Sequence, residues 1–231
     1  MRLEIFGVEG LPEIGAGADL AGLIAGAAGL AGGDVVVVTQ KIVSKAENAM
    51  AAVDPNDPRS HQPVVERESV RVLRRRDNLI ISETKHGFVC ANAGVDRSNV
   101  ASGMVALLPD DPDRSARRIR DGIRARAGVE VGVIISDTFG RPWRRGVTDV
   151  AIGIAGIRPI LDLRGTPDAS GRELQVTEVA ISDELAAAAE LVMGKAAGVP
   201  VAVIRGVDPA WLGPGSIQQD LIRPPTEDLF R

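Results

Sequence analysis

The stretch GGDVVVVTQK, residues 32–41, decides how the rest of the chain is read. Val35, Val36, Val37 and Val38 form an unbroken β-branched run behind a Gly-Gly-Asp turn. A strand with one wet face alternates apolar and polar residues; a run without alternation belongs to a sheet covered on both faces. Covering requires helices, and the flanks supply them. Residues 19–30 place apolar side chains at helical spacing behind Asp19, whose short carboxylate suits an N-cap. Downstream, Ser44-Lys45-Ala46-Glu47 reads as the opening of a helix.

Two more strands have the same character, residues 129–136 (VEVGVIIS, ending at Asp137-Thr138) and 201–205 (VAVIR, between Pro200 and Gly206). Residues 113–127 read as a charged amphipathic helix and 184–195 as an Ala/Leu helix. Residues 54–63 are a Pro-punctuated loop, 64–76 read as an Arg-rich helix, and 78–83 (NLIISE) as a strand. Helices and strands alternate, so the class is α/β (mixed α+β), a sheet covered by helices. With 231 residues and no repeat or low-complexity linker, the chain is one domain over 1–231 or two small intertwined ones.

Composition excludes several functions. Aromatics are 3% of the chain, Tyr is absent and the formal charge is −4, which disfavours nucleic acid as a partner. Cys90 is the single cysteine, so there is neither a disulfide framework nor a Cys-rich zinc site. The N-terminus lacks a signal-peptide pattern, and the apolar stretch 20–31 is too short to span a bilayer, so the expected location is cytoplasmic, with no membrane partner.

The common nucleotide and hydrolase signatures are missing: no P-loop, no G-x-G-x-x-G between strand and helix, and no G-x-S-x-G. His61 and His86 have no histidine partners. Chemistry must therefore come from carboxylates, amides, lysines and backbone groups. Residues 37–47 carry a buried strand into Gln40, Lys41, Ser44 and Lys45, where α/β sheets collect ligands; the alternative is a solvated helix start. Residues 89–100 (VCANAGVDRSNV) gather Asn92, Asp96, Ser98 and Asn99 around Gly94, oxygen donors suited to a hard cation or simply a polar turn. Residues 134–146 (IISDTFGRPWRRG) deliver Asp137 and Thr138 at a strand tip, followed by Arg141, Arg144 and Arg145, with Arg144 and Arg145 as candidate clamps for substrate phosphate or carboxylate. Gly213-Pro214-Gly215-Ser216 offers free backbone N–H groups ahead of a short amphipathic segment, although many such turns are only turns.

Taken in order along the chain, VEGLPEI, VVTQKIVSKAE, NAGVDRSNV, ISDTFGRPWRRGVTDVAIGIAGI, GRELQVT, VIRG, GPGS and RPPTEDLFR resemble the gamma-glutamyl ligase family of coenzyme F-420 biosynthesis. The resemblance spans nearly the whole chain. It implies a family-specific fold, neither Rossmann nor P-loop, and a homodimer. It also implies GTP-dependent ligation of L-glutamate to the lactyl-phosphate side chain of a deazaflavin through an acyl phosphate, with further gamma-linked glutamates as an extension. GTP, L-glutamate and the deazaflavin are the implied partners, and two divalent ions (Mg²⁺ or Mn²⁺) with K⁺ the implied cofactors. By the same resemblance, Asp96, Asp137 and Thr138 hold metal. Leu11, Pro12, Glu13, Ile14, Gln40, Lys45 and Asn99 line the nucleotide site, and Gly213, Gly215 and Ser216 close over it. In related actinobacterial proteins a nitroreductase-like domain follows such a module, and the chain ends near where it would begin. The rival readings are a metal-dependent phosphohydrolase and a non-catalytic GTP-binding module.

Overall fold

Val35, Val36, Val37 and Val38 are all sealed from solvent, as an unbroken apolar run demands. The computed structural model describes residues 1–229, so the last two residues of the RPPTEDLFR segment lie outside the described residues. The chain begins with β1 (Glu4–Gly7), α1 (Leu20–Ala27), β2 (Val35–Thr39), α2 (Gln40–Ala46) and β3 (Met50–Ala52). Then come α3 (Gln62–Glu68), β4 (Ser69–Arg76), β5 (Leu79–Thr84), β6 (Val89–Ala91), β7 (Met104–Ala106) and α4 (Pro112–Ala127). The remaining elements are β8 (Gly132–Arg141), β9 (Arg144–Ala155), β10 (Leu161–Asp162), β11 (Glu178–Val179), α5 (Ile181–Met193) and β12 (Val201–Arg205).

The main sheet has the order β1-β12-β2-β8-β9. Only β2 and β8 run parallel; the other neighbours are antiparallel. A Rossmann sheet is built from successive parallel strands, so this is a different mixed α/β architecture. Helix α1 packs on α4, α4 lies on β8 and β9, and α5 lies on β1, β12 and β9. Their apolar residues close one large core, while Val64, Val65, Ile80, Ala93, Val95 and Val105 form a smaller one beside it. At one end of the inner strands, Arg205 forks onto the buried Asp34 at 2.9 and 2.7 Å and joins the end of β12 to the start of β2. Asp19 caps α1 by accepting from the Gly22 amide, and Asp111 caps α4 by accepting from the Arg114 amide.

Three local expectations are corrected. Residues 64–76 are not one helix: α3 ends at Glu68, and Ser69–Arg76 is a strand paired with β5. Arg favours a helix, but exposed Val70 and Val72 alternate with arginines, and cross-strand pairing prevails over that weak propensity. Ser44–Glu47 closes a helix rather than opening one, because α2 starts at Gln40, immediately after β2. Finally, Asp137 and Thr138 do not sit at a strand tip. Strand β8 continues to Arg141 and folds back through a hairpin into β9.

Candidate active site

The sheet registers bring five chain segments to one end of the strands. Thr39, the last residue of β2, pairs with Ser136 in the parallel β8, so Gln40 and Lys41 emerge beside Asp137 and Thr138. Strand β12 runs the other way and begins there: Val201 pairs with Val38, and the Thr39 amide donates to the Pro200 carbonyl at 2.9 Å. The turn between α5 and β12 therefore arrives at the same place. Strand β1 ends there too, with the Val8 amide donating to Val201, so residues 11–14 follow at the rim. Strand β9 adds Asp149, the cross-strand partner of Thr138. The carboxyl end of β2 and the stretch of β8 just past their parallel pairing thus open into a cavity of about 340 Å³.

Its walls contain most of the residues singled out from the sequence: Leu11, Pro12, Glu13, Ile14, Gln40, Lys45, Asp96, Asn99, Asp137 and Thr138. Lys45 pairs with Glu13, fastening the rim segment to α2. Asp96 comes from the loop after β6, held by a bridge to Ala106 and by an Asx turn in which Oδ1 accepts from the Ser98 amide at 2.7 Å. Asn99, farther along this loop, has a left-handed φ of 53°, a conformation asparagine tolerates. Gln40 is 2% exposed, and its Nε2 has no hydrogen-bond partner among the described residues, while its Oε1 accepts from Ser44. A buried donor left unmade costs roughly 1–3 kcal/mol, which an acceptor on a ligand would offset.

The carboxylates differ in charge state. Burial by itself raises Asp96, but the Ser98 amide and Lys41 outweigh it and hold the group below the usual carboxylate range. Asp137 lines the cavity and is largely buried. Burial pushes it up to about 7, with the charges of Asp96 and Asp149 adding to the rise and the Thr138 amide and Lys195 opposing it. No Lys, Arg or His forms an ion pair with Asp137 among the described residues. The cavity is lined by five acidic residues, Glu13, Asp96, Asp137, Asp149 and Glu190, against three lysines, an excess that a divalent cation would relieve. Among the described residues no group of three or more His, Cys, Asp and Glu is arranged to hold a metal ion. Two carboxylates and a hydroxyl fit an ion that completes its shell with phosphate oxygens and water, the habit of Mg²⁺ and Mn²⁺. Nearby Cys90 is pushed up to about 12 by burial, with Asp137 adding to the effect, and cannot serve as a thiolate nucleophile at neutral pH.

Other expected residues stay away from this cavity. Arg144 and Arg145 lie on the exposed arm of the β8–β9 hairpin, where Arg141 donates to the Arg145 carbonyl at 3.0 Å; they do not line the cavity. The strand continues beyond Asp137 and carries them past the site. Gly213, Gly215 and Ser216 also lie off its walls. Ser216 Oγ donates to Asp113 Oδ2 at 2.7 Å and caps the Ile217–Leu221 turn, while Gly215 packs so closely on Pro159 that a side chain would collide with it. This turn clasps the chain to α4 through Asp113.

Sequence reasoning missed Asp149, Glu190 and the Gly194–Gly198 turn with Lys195, all of which line the cavity. Burial raises Glu190, Asp149 adds to the rise and Lys195 opposes it. A lysine bracketed by glycines between a helix and a buried strand was the available signal for this turn. Asp149 had none, because only the β8–β9 pairing brings it to Thr138.

A family model described as F420-0:Gamma-glutamyl ligase matches residues 10–206, a span that includes every cavity-lining residue named above. The protein named Coenzyme F420:L-glutamate ligase from Methanothermobacter thermautotrophicus is 44% identical over 251 aligned residues, covering 100% of this chain and 100% of the relative. Its namesake from Methanopyrus kandleri is 46% identical over 234 residues, covering 93% of this chain and 92% of the relative. The one from Methanocaldococcus jannaschii is 44% identical over 216 residues, covering 86% and 85%. Over this identity and coverage, the chain belongs to the F420-0:gamma-glutamyl ligase family.

Proposed function

We propose that this chain joins L-glutamate in amide linkage to the side-chain carboxylate of coenzyme F420-0, driven by GTP through an acyl phosphate, with two divalent ions and K⁺ as helpers. Its relatives carry the ligase name, which supports the overall reaction. The observation that carries the chemical reading is the meeting, in one cavity at the strand ends, of cationic Lys41 and Lys45, the unpaired Gln40 donor, and the oxygen donors Asp96, Asp137 and Thr138.

The electrostatic problem is that a carboxylate must approach a γ-phosphate, two anions driven together. Asp96, Asp137 and Thr138 would hold a divalent cation, which would supply the charge that lets the two anions meet. Lys41 and Lys45 add point charges at the phosphate end of the cavity, and Gln40 Nε2 donates to a ligand oxygen. The substrate carboxylate oxygen bonds to the γ-phosphorus as the bond to the bridging oxygen breaks and GDP leaves. The glutamate amine then attacks the acyl carbon, phosphate departs with the carboxylate's former oxygen, and the amine gives up a proton. Positioning supplies most of the remaining acceleration.

The test is incubation with GTP, Mn²⁺, the deazaflavin substrate and L-glutamate, followed by mass spectrometry. Ligation gives a product heavier by one glutamyl residue. GTP consumed with the deazaflavin mass unchanged would instead identify a phosphohydrolase.

A further inference from the structure

We infer that Asp149 is a positioning residue, fixing the Thr138 hydroxyl as an oxygen donor toward a divalent cation; the inference rests on the proposed cation role of Asp137 and Thr138. Ser136 and Thr138 are two residues apart on β8 and so share a face of the strand. Asp149 faces them from β9: its Oδ2 accepts from Ser136 Oγ at 2.9 Å and its Oδ1 from Thr138 Oγ1 at 2.6 Å. Each hydroxyl has a single proton, and both protons are turned toward the carboxylate. What Thr138 has left to present to the cavity is lone pairs, the right valence for a cation.

Asp149 is only 2% exposed, and its charge is met by these two hydroxyls with no ion pair among the described residues. A buried carboxylate without a cation is costly to keep. Simple packing does not explain it, since an amide of the same shape would fill the space. An amide would also break the arrangement: it has one acceptor and one donor group, so one hydroxyl would face a donor and turn its own proton elsewhere. Asp149→Asn therefore changes the direction of a hydroxyl while leaving the volume alone.

The test reads Mn²⁺ binding directly, by electron paramagnetic resonance of free ion in nucleotide-free titrations. Wild type, Asp149→Asn, Thr138→Val and the double variant are compared, with circular dichroism checking the fold. Asp149→Asn is expected to bind Mn²⁺ about 10- to 100-fold more weakly. The double variant is expected to bind no more weakly than Thr138→Val alone, because Asp149 acts through that hydroxyl. Should Asp149→Asn fail to fold, Asp149→Ala, which admits water in place of an amide donor, is expected to show a smaller loss of the same kind. Wild-type affinity in the variant that folds, or full additivity in the double variant, would overturn the inference while leaving the cation reading intact. Absence of Mn²⁺ binding by the wild type would overturn the cation reading and the inference with it.

Discussion

Lys41 Nζ stands 2.9 Å from Asp96 Oδ2 and donates to Ser98 Oγ at 2.7 Å, so a single lysine at the start of α2 holds the loop that carries a proposed cation ligand. The pair is partly exposed, with side-chain accessibilities of 18% and 29%, and so is open to exchange. A cation approaching Asp96 must displace Lys41, and a displaced Lys41 is free to meet phosphate. The ion pair keeps the ligand ionised and its loop in place before substrates arrive.

Replacing Lys41 by Met separates these two duties. A partly exposed ion pair contributes roughly 0.2–1 kcal/mol, so Mn²⁺ affinity without nucleotide should rise by up to about fivefold. The KM for GTP should rise as well, because a counter-charge for phosphate is gone. Mn²⁺ titration and steady-state kinetics on one preparation check both; weaker Mn²⁺ binding in the variant would contradict the competition.

Asp137 sets a second expectation, in pH. Its ordinary value of 3.8 applies in the unfolded chain, and the folded value is about 7. The folded state therefore holds this proton more tightly. Its stabilising effect is complete below the unfolded value and is lost as pH rises toward 7. Without metal, Asp137→Asn should melt higher than wild type at pH 8 and differ little near pH 4, while losing ligase activity. In wild type, Mn²⁺ binding near pH 6 should release protons, and affinity should climb between pH 6 and pH 8. Calorimetric titration in buffers of different ionisation heat measures that release.

Ser216→Ala distinguishes a clasp from a nucleotide cover. The Ser216 hydroxyl is bonded to Asp113, which also accepts from the Ile154 amide at 2.8 Å and so ties this turn to β9 and α4. Loss of that bond should cost about 1 kcal/mol in thermal or denaturant unfolding. The KM for GTP should stay at its wild-type value; a large rise would return Ser216 to the nucleotide site.

How far the sequence was legible depended on how local each signal is. The Val35–Val38 strand could be read because burial on both faces writes itself into consecutive residues. Helix α4 could be read because its amphipathic spacing is written in consecutive residues. Residues 69–76 were misread because an arginine-rich segment suits either state until its partner strand is known. Asp96 and Asp137 stood out as carboxylates beside strands and reach one cavity. Asp149, far along the hairpin among apolar residues, gains its significance only from the register that sets it opposite Thr138. Arg144 and Arg145 stand off this cavity for the complementary reason: the hairpin that brings Asp149 in carries them out.

In the proposed reaction, an acyl phosphate formed in this cavity joins phosphate transfer to amide formation. This coupling is tested most directly by labelling the side-chain carboxylate of the deazaflavin substrate with oxygen-18 and running the reaction with GTP and L-glutamate. Mass spectrometry of the released inorganic phosphate should show one labelled oxygen per amide formed. Unlabelled phosphate alongside ligated product would contradict the account.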